Sequence, residues 1–227
     1  MSESGTGVGV TVIRGGTTNS PVTVNVKTTG SGNAEGGAGP CGPGVDFTAV
    51  TLPVTFNPGQ TSKTVTIPLC PDSIVDGTET IGLALDNVSG ATLGTPNTAT
   101  VQVAENDAAG TVQFAAPTSS VSESQGTASV LVTRTGGAAS AVTVHWTITG
   151  GTAVHGAAPG PGVDYTGNTS GTLTFAQNQM SQGLTIAVAP RPNAQGPRSV
   201  ELLLDLAGGG GALGVQTSAT LWILDAD

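Results

Sequence analysis

Charge and aromatic side chains are what this 227-residue sequence has least of: 9 % of its residues are charged and 3 % are Phe, Trp or Tyr. Lys and Arg number 6 against 15 Asp and Glu, a net charge of -9. Nucleic acid and anionic bilayers both attract proteins through clustered cations, so neither is an expected partner. No apolar run approaches the roughly 20 residues that span a bilayer, and the N-terminus lacks the basic, apolar and small-residue regions of a signal peptide, so no membrane insertion by this fragment is expected. Histidine is limited to His145 and His155, with no acid or nucleophile fixed beside them by spacing; without a triad the chain is not expected to be an enzyme. The segment Gly37-Ala-Gly39-Pro-Cys-Gly42 has the letters of a dinucleotide fingerprint, but it lies between strand patterns with no helix after it.

What is abundant is Gly, Pro, Val and Thr, a composition suited to strands joined by turns. It is also repeated. Ser2-Glu3-Ser4 through Val10, Val12 and Arg14 returns as Ser122-Glu123-Ser124 through Val130, Val132 and Arg134, an offset of 120. Pro-Gly-Val-Asp-Phe-Thr ending at Thr48 returns as Pro-Gly-Val-Asp-Tyr-Thr ending at Thr166, and Ala91-Thr-Leu-Gly94 as Ala212-Leu-Gly214. A repeat of this length means two modules with their own cores, not a solenoid of small units.

Apolar residues alternate in each copy: Val8, Val10, Val12; Val22, Val24, Val26; Leu52, Val54, Phe56; Val65, Ile67, Leu69; Ile81, Leu83, Leu85; Val101, Val103; then Val130 to Ile223 in the same order. Period two buries one face of each strand. About seven strands per copy predict an all-β fold of two tandem immunoglobulin-like antiparallel sandwiches, residues 1–108 and 109–227. Trp146 and Trp222 are expected to be packing residues rather than ligand platforms. That copy opens with a strand-like Gly110–Phe114 that has no counterpart before Ser2. The first is therefore expected to lack its opening strand, to expose a sheet edge, and to come from a longer array whose neighbouring domains are its first partners.

Acidic residues of the first copy gather near predicted strand ends: Glu3, Asp46, Asp72, Asp76, Glu79, and the triplet Glu105-Asn106-Asp107. Carboxylates brought together without Lys or Arg resist joint ionisation unless a cation neutralises them. Calcium, which takes six to eight oxygens at about 2.3–2.6 Å, fits best; the alternative is a solvated acidic surface. A zinc site is disfavoured because this copy contains no histidine.

Ser-Glu before the first strand, Gly-Val-Asp-Phe or Gly-Val-Asp-Tyr, Phe-x-Pro-Gly-Gln, Asp-x-x-x-Asp-Gly-x-Glu, Leu-Gly before the last strand and a terminal acidic triplet together resemble the Calx-beta domain, twice over. That family occurs in sodium/calcium exchangers, integrin subunits and large extracellular proteins. The resemblance implies sandwiches whose distal loops bind calcium. It makes Glu3, Asp46, Asp72, Asp76, Glu79, Glu105 and Asp107 the expected ligands, with Asn106 and the Ile74 carbonyl as extras. Pro71 stands where the strongest binders carry an acid, which implies fewer ions or weaker binding.

The second copy keeps Glu123, Asp164, Asp225 and Asp227 but has Arg191, Gln195 and Arg198 in place of Asp72, Asp76 and Glu79. Either the arginines pair with the remaining carboxylates in place of a metal, or they point into solvent. Cys41 and Cys70 flank the acidic loops and allow a disulfide, which suits an extracellular protein; two free thiols are the alternative. The expected role is a calcium-binding structural or adhesive module of an extracellular or cell-surface protein, with calcium stiffening the joint between domains and a protein as possible adhesion partner. A passive metal-free spacer is the other reading.

Overall fold

The structure, a computed structural model, describes residues 1–226 and, of Ala207, the backbone alone. The chain forms two compact units, residues 1–106 and 107–227, each all-β apart from one three-residue 3-10 turn at Glu123–Gln125.

The first unit contains β1 (Gly7–Ile13), β2 (Val22–Thr29), β3 (Gly36–Gly37), β4 (Phe47–Thr48), β5 (Thr51–Phe56), β6 (Ser62–Pro68), β7 (Glu79–Ser89) and β8 (Thr98–Val103). Strands β5-β2-β7-β8 make one antiparallel sheet, and β1 pairs antiparallel with β6 in the other. The short β3–β4 pair joins the second sheet through a bridge between Phe47 and Leu69. Val22, Val24 and Val26 point inward from β2 while the intervening residues face outward, as period two requires. Val8, Phe47, Ile67, Leu69, Ile81, Leu83 and Val103 form one half of the core, and Val12, the three β2 valines, Val54 and Phe56 the other.

The second unit contains β9 (Thr111–Phe114), β10 (Thr118–Ser122), β11 (Thr127–Thr135), β12 (Val142–Gly150), β13 (His155–Gly156), β14 (Tyr165–Thr166), β15 (Ser170–Phe175), β16 (Ser181–Val188), β17 (Arg198–Gly208), β18 (Ala212–Leu213) and β19 (Ser218–Leu224). Its sheets run β10-β19-β17-β12-β15 and β13-β14-β16-β11-β9-β18. The register repeats that of the first unit: Val26 faces Leu85, and Trp146 faces Leu204. Turn chemistry repeats as well. The Gln60 side chain accepts from Asn57 N–H and its own N–H reaches Asn57 O; Gln179 does the same with Ala176. The left-handed position in these turns is filled by Gly59 in one and Asn178 in the other, two residues that tolerate positive φ.

Two strands of the second unit, β9 and β18, have no counterpart among the described residues of the first, and of β10 only the last position is matched, by the parallel bridge between Ser2 and Ala104. Both tryptophans and the single tyrosine belong to the second unit. Trp146 is 8 % exposed and Trp222 is 39 % exposed. It alternates with the buried Leu221 and Ile223 of β19, so the strand that buries those two turns the indole outward.

Candidate metal centre

Four segments of the first unit carry the acidic side chains to one end of its sandwich. Asp46 lies just before β4, Asp72 and Asp76 in the connection from β6 to β7, Glu79 at the start of β7, and Glu105 just after β8. Glu3 joins them because Ser2 bridges to Ala104 and the Glu3 N–H donates to Ala104 O at 3.2 Å. Asp46 is held at three points: its N–H donates to Glu35 O at 2.9 Å, its carbonyl accepts from Cys70 at 2.8 Å, and its Oδ2 accepts from Glu35 N–H at 2.5 Å. The Cys41–Cys70 disulfide ties the Gly/Pro loop that leads to Asp46 onto the segment that leads to Asp72. Asp72 Oδ1 accepts from Ile74 N–H at 2.7 Å, and Glu105 Oε2 accepts from Asp76 and Gly77 N–H at 2.8 and 3.0 Å.

These anchors gather the carboxylates into three overlapping groups, Glu3–Asp76–Glu105, Glu3–Asp72–Asp107 and Asp46–Asp76–Glu79, each offering oxygens within 4.8 Å of one another. The electrostatic cost is visible. The Glu79 carboxyl is pushed up to about 7 by burial, by its side-chain hydrogen bond to Asp46, and by the charges of Asp46, Asp76 and Asp72. Asp76 is raised by partial burial, then by its hydrogen bond to Glu105 and the charges of Glu105, Asp72 and Asp46. Of the unit's basic residues, Lys27 pairs with Asp86 at 2.6 Å and Arg14 donates to the Thr17 carbonyl. An all-oxygen donor set with protons shared between carboxylates is chemistry that a hard divalent cation such as calcium fits.

The set is not uniform. Asn106 Oδ1 accepts from Ser2 Oγ at 2.7 Å and Ser4 N–H at 2.9 Å, so it braces the N-terminal segment rather than facing the carboxylate groups with an idle oxygen. Ile74 enters through its N–H to Asp72.

In the second unit the same scaffold carries different chemistry. Asp164 repeats the three anchors of Asp46: N–H to Val154 O at 2.8 Å, carbonyl from Ala189 N–H at 2.9 Å, and Oδ2 from Val154 N–H at 2.6 Å. Asp225 Oδ2 accepts from Gln195 and Gly196 N–H just as Glu105 accepts from Asp76 and Gly77. Arg191, at the position of Asp72, reaches Asp164 with Nη2 at 2.8 Å and Nε at 2.7 Å; the Nε contact is ionic rather than an aligned hydrogen bond. Asp164 is 3 % exposed, so the pair is dry. Arg191 also donates to Gly162 O and, through Nη1, to Gln195 Oε1 at 2.6 Å, where Arg198 Nη2 arrives at 2.5 Å. Of the two arginines, Arg191 takes the carboxylate and Arg198 takes the amide. Asp227 lies outside the described residues. Gln195 as the acceptor shared by both arginines was not foreseen; its place at the counterpart of Asp76 was the available signal.

The Calx-beta domain family model matches residues 1–107 and again 105–227. Sodium/calcium exchanger 1 of Rattus norvegicus is 31 % identical over 200 residues, 80 % of this chain and 19 % of that protein; the protein of Canis lupus familiaris is 32 % identical over the same share. The chain thus spans about a fifth of the length of these relatives. Among solved structures, CBD12 from CALX1.2 aligns over 98 % of this chain and 95 % of its own at 22 % identity with a TM-score of 0.44. The calcium binding domain CBD12 of CALX1.1 aligns over 96 % and 94 % at 23 % identity with a TM-score of 0.46. With the family pattern matched from one end of the sequence to the other in two consecutive copies, this chain belongs to the Calx-beta family as a tandem pair.

Proposed function

We propose that the first module binds calcium through Glu3, Asp46, Asp72, Asp76, Glu79, Glu105 and Asp107, and that the second holds Arg191 where the first would hold the ion. The observation that carries this reading is the contrast between two equivalent scaffolds: carboxylate oxygens of Asp46, Asp76 and Glu79, and of Glu3, Asp76 and Glu105, gathered within 4.8 Å of one another in one, and a guanidinium seated on Asp164 in the other. Bound calcium would supply the positive charge that lets these carboxylates ionise together. The chain's own part is to hold them: Cys70 and Glu35 fix Asp46, the N–H groups of Asp76 and Gly77 fix Glu105, and Ala104 fixes Glu3.

Glu105 and Asp107 immediately precede the joint between modules in the sequence, so holding them restricts the chain there, and the module acts as a stiffener. Binding to the folded state alone adds about 2.7 kcal/mol of stability when free calcium exceeds Kd a hundredfold. The disulfide supports an extracellular or cell-surface setting, with neighbouring domains of a longer array and an adhesion protein as partners. No catalytic role is assigned. Arg191 favours the metal-free spacer reading for the second module alone.

Calcium titrated calorimetrically into the intact chain should give heat that disappears in Asp72→Ala and Asp76→Ala. Silence from the unsubstituted chain at millimolar calcium would leave the metal-free spacer.

A further inference from the structure

The segment between β3 and β4 that leads to Asp46 stands out in solvent. It reads Ala38-Gly39-Pro40-Cys41-Gly42-Pro43-Gly44-Val45, and a Cβ placed on Gly39, Gly42 or Gly44 would meet nothing within 4 Å. The bond from Val45 N–H to Gly42 O at 3.1 Å is internal to it. Among the described residues, every bonded tie from residues 38–44 to another segment runs through Cys41: its disulfide to Cys70 and a 3.9 Å sulfur contact to Leu69 O. The chain then passes from Cys41 to Asp46 and from Cys70 to Asp72. The disulfide therefore closes two ligand-bearing segments on each other, beside the Asp46, Asp76 and Glu79 oxygens that lie within 4.8 Å of one another.

The second module shows what this place in the fold requires. Pro161-Gly162-Val163-Asp164 repeats Pro43-Gly44-Val45-Asp46, with the same internal bond from Val163 N–H to Gly160 O at 3.1 Å. Neither cysteine is kept. Pro159 stands at the offset of Cys41, and Ala189 donates to Asp164 as Cys70 donates to Asp46. Arg191 makes the tie instead: from the segment leaving β16 it donates to Gly162 O and grips Asp164. Each module thus carries a cross-link between the same two segments, ionic in one and covalent in the other. The covalent one differs in that two electrons open it. Cys41 is exposed and Cys70 is 5 % exposed, so a reagent reaches the bond from the Cys41 side.

We propose that the Cys41–Cys70 disulfide is a redox gate on the calcium site: the oxidised module binds the ion, and the dithiol form binds it more weakly. The inference rests on the calcium reading given above. A small dithiol supplies the two electrons. Its thiolate attacks Cys41 Sγ, breaking the S–S bond and expelling Cys70 as a thiolate that takes up a proton. Its second thiol then displaces Cys41 from the mixed disulfide, leaving two protein thiols and the oxidised reagent. With the tether open, the loop before Asp46 gains freedom that calcium must remove before it is held. The three hydrogen bonds of Asp46 do not involve sulfur and persist, so affinity falls without vanishing. Coupled sites change each other's affinity by about 5–150-fold, and about tenfold is expected here. The coupling is reciprocal: saturating calcium makes the disulfide harder to reduce by the same factor, about 30 mV per tenfold for a two-electron couple.

The test titrates calcium calorimetrically into the intact chain, oxidised and after reduction with dithiothreitol. The same coupling is read in reverse as the reduced fraction in thiol/disulfide buffers with and without calcium, counted by alkylation and mass spectrometry. Hydrogen exchange at β2 and β7 of the reduced chain checks that the sandwich stays closed. Kd should rise about tenfold on reduction and recover on reoxidation, and calcium should shift the buffered equilibrium towards the disulfide. Cys41→Ser with Cys70→Ser should bind like the reduced chain and ignore the dithiol. Binding with one Kd in both redox states overturns the gate and leaves the calcium reading standing. Silence from both states overturns the calcium reading and the gate with it. Loss of protection throughout β2 and β7 on reduction would make the disulfide a staple of the fold, and that too overturns the gate.

Discussion

Glu79 is the residue whose chemistry reports most directly on the cluster. Its carboxyl sits at about 7 instead of its ordinary 4.5, so between those values the metal-free folded chain binds protons that the unfolded chain has already released. Stability from this group is therefore complete below about pH 4.5 and lost as pH rises through 7. Urea midpoints measured without calcium should fall across that window, and Glu79→Gln should flatten the fall. With saturating calcium the dependence should reverse, because the ion competes with the same protons. A calcium-free midpoint that rises steadily from pH 5 to 7 would contradict the shared-proton arrangement. The crowding of acidic residues was legible in the sequence because they stand near the ends of strands, Glu79 on the first residue of one, and the alternation of apolar residues marks those ends. The occupation of Asn106 was not legible, since its partners Ser2 and Ser4 lie more than a hundred positions away.

At the scale of elements, the two modules solve one problem in two ways. The loop before β4 or β14 must be kept against the segment leaving β6 or β16. In the first module the Cys41–Cys70 disulfide and the Cys70 N–H to Asp46 bond do this; in the second the Ala189 N–H to Asp164 bond remains and Arg191 adds the cross-link. Removing the guanidinium while leaving Asp164 buried strands a charge, and Arg191→Met should cost about 3–5 kcal/mol by denaturant unfolding. Arg191→Asp with Arg198→Glu should instead be rescued in part by calcium. Absence of any calcium response in that double variant would mean that the second scaffold has lost more than its charge pattern. Sequence comparison at the fixed offset exposed both arginines but could not say which would take the carboxylate. That choice depends on Gln195 intercepting Arg198, a matter of side-chain reach and not of spacing. Arg14 and Arg134 were legible only as a repeated pair, because their partners are backbone carbonyls and carbonyls leave no mark in a sequence. The outward turn of Trp222 follows from the alternation itself: a side chain on a strand between two buried apolar neighbours goes to the opposite face whatever its size.

For the whole chain, a duplicated module with one altered site predicts that the two halves answer to different conditions although they share one strand framework. Their optical properties differ as sharply. Trp146, Trp222 and Tyr165 all report from the second half, and the first half has only Phe47 and Phe56 as aromatic residues. Intrinsic emission therefore follows the unfolding of the half in which Arg191 stands at the ion's place, and is blind to the half that is proposed to bind calcium. Scanning calorimetry should show a transition that moves up with added calcium while the tryptophan emission midpoint stays fixed. A titration judged by fluorescence alone would record this protein as indifferent to calcium.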